Sequence, residues 1–189
     1  MYRTLFKLWH GIIAFVMVGM LSTVWLRKTF LSKKENGALI VDKLNDLGVH
    51  IELKDAIDIA TAIREPMWNW HIYLGYALAF LVVYRGLLYL FDKRDKMSFA
   101  EADLHKKGVR VLYMLFYVSL VFITISGLLY HFYQDLAIAK DTALGIKKFH
   151  KLWYNYFLYF VPLHIVAIIA ADIIHKDGIP SSITRPKKG

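Results

Sequence analysis

Four stretches of the chain run apolar with almost no charge: Leu8 to Leu26, Met67 to Phe91, Val111 to Tyr133 and Leu152 to Ile174. A helix needs about 20 such residues to cross a hydrocarbon core about 30 Å thick, and each stretch approaches or exceeds that length. No alternation of polar and apolar positions marks barrel strands. In lipid every backbone polar group must bond within its own segment, so the four stretches are predicted as transmembrane helices. The expected fold is all-α, an integral membrane four-helix up-and-down bundle forming one domain over residues 1–189. Trp9, Trp25, Trp68, Trp70, Tyr89, Tyr130, Tyr133 and Trp153 fall near span ends, where amphipathic rings settle at the membrane interface.

The connection between the first two spans, residues 28–66, is long and patterned. Apolar residues recur at helical spacing in Ala38 to Leu47 and in Asp55 to Ile63, which predicts two short amphipathic helices in an extramembrane insertion. Pro66 is expected to open the second span, where its missing N–H costs nothing. Arg3 and Lys7 precede the first span as they would in a signal peptide. That span is long and lacks a small-residue cleavage site, so it is expected to stay as a helix. Four spans put both termini and residues 92–110 on one side. Lys and Arg are nearly balanced between the two sides, so the positive-inside rule does not decide orientation. The expected arrangement has cytoplasmic termini and a periplasmic insertion.

Composition narrows the chemistry. A 57% hydrophobic content is too high for an ordinary soluble domain of 189 residues, so lipid is the first partner. The absence of cysteine excludes disulfides, iron–sulfur clusters, thiolate zinc sites and covalent c-type haem attachment. Any metal must be held by histidine or oxygen. The net charge of +9 comes from bases flanking apolar spans, a distribution that suits lipid headgroups rather than nucleic acid.

An ionisable side chain inside lipid is costly and is a functional candidate by default. His10 lies near the start of the first span, His71 near the start of the second, His150 just before the fourth and His164 within it. His150 and His164 are fourteen residues apart. That interval is nearly four helical turns, so both lie on one face, about 21 Å apart along the axis. In an up-and-down topology His10 matches His164 in depth and His71 matches His150. Two imidazoles facing across a bundle can hold a planar macrocycle, and two axial histidines leave no open iron position, which suits electron transfer. His131 is a rival for the outer site, or else bonds a backbone carbonyl at the interface, the reading preferred here. His50 and His105 are expected in loops, and His175 at the exit of the last helix.

Arg85 lies fourteen residues after His71 in an otherwise apolar span. It either pairs with an anion such as a haem propionate, which arginine grips bidentately, or snorkels to the interface. Gly11, Gly75 and Gly127 leave room for a macrocycle or for a neighbouring helix. Pro162 frees a backbone carbonyl near His164. Lys147, Lys148 and Lys151 flank His150 and either attract an anion or anchor the helix at the interface.

Leu8-Trp9-His10, Trp70-His71 with Arg85, Phe149-His150, Leu163-His164 and the tail Lys176-Asp177-Gly178 together resemble the bacterial cytochrome b561 family, which is related to the membrane cytochrome b subunits of nickel–iron hydrogenases. The resemblance spans nearly the whole chain except residues 28–66. It implies two non-covalent b-type haems, each ligated by two histidines: His10 and His164 on the cytoplasmic side, His71 and His150 on the periplasmic side. It further implies a Gram-negative inner membrane and electron exchange with quinone or a partner redox subunit. The expected function is a dihaem cytochrome moving electrons across the inner membrane between the quinone pool and a periplasmic or partner-subunit centre. The alternative is a membrane-anchor subunit docking a periplasmic oxidoreductase such as a hydrogenase.

Overall fold

The computed structural model describes residues 2–90 and 104–174. Five helices account for nearly all of them: α1 (Tyr2–Lys28), α2 (Lys33–Asp46), α3 (Leu53–Leu90), α4 (Leu104–His131) and α5 (Lys140–Ile174). No strand occurs among the described residues. Four of the helices, α1, α3, α4 and α5, are long and apolar enough to cross a membrane. The chain is all-α and a multi-pass membrane protein, as the apolar runs predict.

The insertion departs from expectation. Its first short helix is present as α2, but the second is not separate. It continues through Pro66 into the second span, making α3 a single helix of 38 residues. Pro66 therefore lies in a helix interior, where it removes the hydrogen bond to the carbonyl four residues back. Apolar and helix-favouring residues on both sides, from Ala60 and Ile63 to Met67 and Trp68, carry the helix across that loss. At 1.5 Å per residue α3 is about 57 Å long, well beyond a hydrocarbon core of about 30 Å. Its excess length lies at the start, where Asp55, Asp58, Arg64 and Glu65 are concentrated.

By internal contacts the described chain divides into two compact units. One holds the residues up to Gly11 with those from Val82 onward; the other holds Ile12–Leu81.

In the first unit α4 packs along α5. Leu120 and Phe157 are almost fully enclosed, and the Phe157 ring meets Phe116 edge-on at 5.8 Å. Ser119 and Ser126 are also buried in α4. Each hydroxyl donates to a carbonyl of its own helix, Leu115 at 2.6 Å and Phe122 at 2.7 Å, so neither is left unmet in an apolar setting.

In the second unit α2 lies against the start of α3 through Gly37, with Ala56 and Ala60 buried. A Cβ on Gly37 would fall 3.2 Å from the Ile57 backbone and 2.7 Å from its side chain, so only glycine permits this approach. α2 ends at Asp46, and Gly48 just beyond it, with a left-handed φ of +76°, turns the chain. Deeper in the unit Gly19 of α1 admits Leu74 of α3, whose Cδ1 would be 3.1 Å from an added Cβ.

Candidate functional site

The first unit brings His10 of α1 and His164 of α5 together, with ring centres 6.5 Å apart. Bonds of about 2 Å from a metal to an imidazole nitrogen on each side, plus about 1 Å from each nitrogen to its ring centre, span about 6 Å. The separation is of the size that two imidazoles sharing one metal ion would have. Phe160 stacks on His164 at 5.7 Å with an interplanar angle of 9°, and Phe6 approaches His10 at 6.4 Å. The two rings are held by aromatic neighbours. Pro162 lies inside α5 without interrupting it.

Arg85 stands one ring away. Its guanidinium carbon lies 5.3 Å from the centre of Phe6, 5.6 Å from Trp9 and 5.1 Å from Tyr117. Its Nε donates to the Tyr117 hydroxyl at 3.1 Å. Phe6 thus touches both Arg85 and His10. Trp9 is only 3% exposed, and its ring sits 6.3 Å from Tyr117. Trp9, near the start of α1, thus packs into the core with its ring facing the Arg85 cation.

His150 of α5 lies over Gly127 of α4, where an added Cβ would sit 3.1 Å from its Cε1. Its Nδ1 is 3.0 Å from the Ile123 carbonyl and 3.2 Å from the Ser126 hydroxyl. A carbonyl cannot donate, so Nδ1 must carry the proton, and Nε2 is the nitrogen with the lone pair. Three residues on, Trp153 stacks on Phe122 at 5.8 Å and 4°. Its Nε1–H is buried with no acceptor among the described residues.

His71 belongs to the second unit. Its Nδ1 is 2.8 Å from the Thr23 hydroxyl, and Thr23 in turn reaches the Met20 carbonyl at 2.7 Å. Thr23 has one proton. Both contacts are hydrogen bonds only if that proton goes to Met20 and His71 Nδ1–H donates to Thr23, which again leaves the lone pair on Nε2. Trp68 stacks on the imidazole at 5.2 Å and 11°, with Arg27 over the indole at 5.0 Å.

The other histidines lie elsewhere. His131 is exposed at the end of α4 with its ring edge-on to Phe132 at 4.6 Å. His50 is exposed and bonded to Asn45 at 2.9 Å. His105 lies in the first turn of α4 rather than in a loop, since the helix starts at Leu104. His175 and the tail Lys176-Asp177-Gly178 lie outside the described residues. Lys147 donates to the Tyr130 hydroxyl at 2.7 Å, while Lys148 and Lys151 are exposed.

A family model described as prokaryotic cytochrome b561 matches residues 1–186. The chain belongs to that family. No curated protein and no solved structure matches it. This cytochrome b561 is thus a membrane b-type cytochrome of electron transfer that binds haem b.

The residues present fit such a group. Among the described residues no group of three or more His, Cys, Asp or Glu is placed to hold a metal ion. The imidazoles of His10 and His164 lie near one another, and the Nδ1 contacts at His71 and His150 leave Nε2 as the nitrogen with the lone pair. A built Cβ at Gly11 or Gly75 meets nothing within 4 Å among the described residues, and the Trp153 N–H awaits an acceptor.

Sequence reading missed Thr23, Ser126 and Tyr117. Their signal is a polar group inside an apolar span, but Thr and Ser also bond back to their own helix. Only the contact with a histidine separates the two roles.

Proposed function

We propose that this cytochrome b561 is a dihaem electron conduit of the bacterial inner membrane, linking the quinone pool to a periplasmic or partner-subunit redox centre. His10 and His164 ligate one haem on the cytoplasmic side, and His71 and His150 ligate the other on the periplasmic side. The facing of His10 and His164, from helices at opposite ends of the chain, carries this reading. Haem b, when bound, supplies a one-electron ferric–ferrous couple. The protein's part would be to hold each haem through these histidines and to set each couple through the groups around them. Arg85, gathered by Phe6, Trp9 and Tyr117, offers its charge to a propionate of the cytoplasmic-side haem. Both termini are cytoplasmic.

Anaerobic mixing of the purified protein with a quinol, with haem per chain quantified in the same sample, tests the proposal. Rapid reduction of two haems is the expected result. One haem per chain, or none, overturns it.

The reach of α3 favours a second reading. A helix about 57 Å long carries α2 clear of the hydrocarbon core and builds a platform from residues 33–66. A membrane-anchor subunit docking a periplasmic oxidoreductase such as a hydrogenase would use such a platform. Two haems that ignore quinol yet respond to dithionite, with a redox enzyme that co-purifies, would establish it.

A further inference from the structure

The four candidate ligands are not held alike. At His71 and His150 the Nδ1–H is given to an oxygen: Thr23 at 2.8 Å and the Ile123 carbonyl at 3.0 Å. At His10 and His164 no ring nitrogen has a hydrogen-bond partner among the described residues, and both imidazoles rest on phenylalanine rings. An acceptor on Nδ1–H pushes electron density toward Nε2 and makes the imidazole a stronger donor to a metal. Stronger donation favours ferric over ferrous iron. Thr23 is only 7% exposed, so its bond acts in a low-dielectric setting where little water competes.

We propose that Thr23, acting through His71, is a positioning residue that makes the haem held by His71 and His150 the lower-potential one of the two. The Ile123 carbonyl does the same through His150, with Ser126 beside it. Arg85 works in the same sense from the other site: a cation one ring from His10 favours an added electron there.

This inference rests on the dihaem reading. The test is an equilibrium redox titration of the purified holoprotein, followed by haem absorbance with haem per chain counted in parallel. In Thr23→Val the lower couple rises, its reduction equilibrium shifting about threefold to tenfold, the scale of one net hydrogen bond. Tenfold is about 59 mV for one electron. Thr23→Ser, which keeps the hydroxyl, restores the wild-type value, and the higher couple moves in neither variant. Two bound haems with both couples unmoved in Thr23→Val, or moved equally, overturn the role of Thr23. The order of potentials is checked without touching Thr23. His10→Ala keeps the haem of His71 and His150, and His71→Ala keeps the other; the first must titrate lower. The reverse order overturns the inference even if Thr23→Val fails to fold. A wild-type protein with fewer than two haems instead sinks the dihaem reading itself.

Discussion

The imidazole of His150 rests on the backbone of Gly127, close enough that a single added carbon would come within 3.1 Å of its Cε1. This contact lets Nδ1 reach the Ile123 carbonyl one turn back along α4. Alanine at 127 forces the ring to yield by a few tenths of an ångström, whereas leucine occupies its place. Gly127→Leu is expected to lower haem content from two toward one per chain, and Gly127→Ala to keep both with an altered spectrum. Pyridine haemochrome assay with difference spectroscopy reads both outcomes; full haem content in Gly127→Leu would remove His150 from the ligand set.

If His10 and His164 form one ligand pair, as proposed, losing either should lose the same haem. His10→Ala and His164→Ala should each bleach about half the absorbance, and the double variant no more than either single one. An additive loss in the double variant would mean that the two histidines serve different haems. His131→Ala, at the exposed end of α4, should leave both haems bound.

The spans, and the meeting of His10 with His164, were legible in the sequence because lipid imposes a coarse rule. An apolar run must be a helix, and helix rise with span direction sets the depth of each side chain. Continuity of α3 through Pro66 was not legible, since proline is compatible with a first turn and with a tolerated interior. The burial of Trp9 was not legible either, since the cation above its ring comes from a helix far along the sequence. Thr23 left only the weak signal of a hydroxyl in an apolar run, and its neighbour Ser22 leaves the same one.

The setting of Arg85 is specific to a planar guanidinium. Its Nε bonds the Tyr117 hydroxyl while the group lies against three aromatic faces, a combination an ammonium cannot reproduce. Arg85→Lys should therefore weaken retention of the haem nearest His10 almost as much as Arg85→Leu does. Tyr117→Phe removes one hydrogen bond and leaves the ring, a loss of about 0.5–1.5 kcal/mol. Haem release rates into apomyoglobin rank the variants. Wild-type retention in Arg85→Lys would show that charge alone suffices.

Gly37 separates the insertion from the haem chemistry. An alanine there already needs Ile57 to move, because an added Cβ sits 3.2 Å from backbone atoms that cannot rotate away. Valine adds two further carbons to the same gap, and overpacking of that kind costs about 1–3 kcal/mol. The contact joins α2 to the start of α3, next to buried Ala56 and Ala60. Gly37→Val should thus release α2 while leaving the haem spectrum intact. Limited proteolysis should cut the variant between residues 29 and 52 faster than the wild type. If the insertion is also a docking platform, the same substitution should abolish co-purification of the partner enzyme while quinol still reduces both haems. Loss of quinol reduction along with α2 docking would instead make residues 33–66 part of the electron-transfer site.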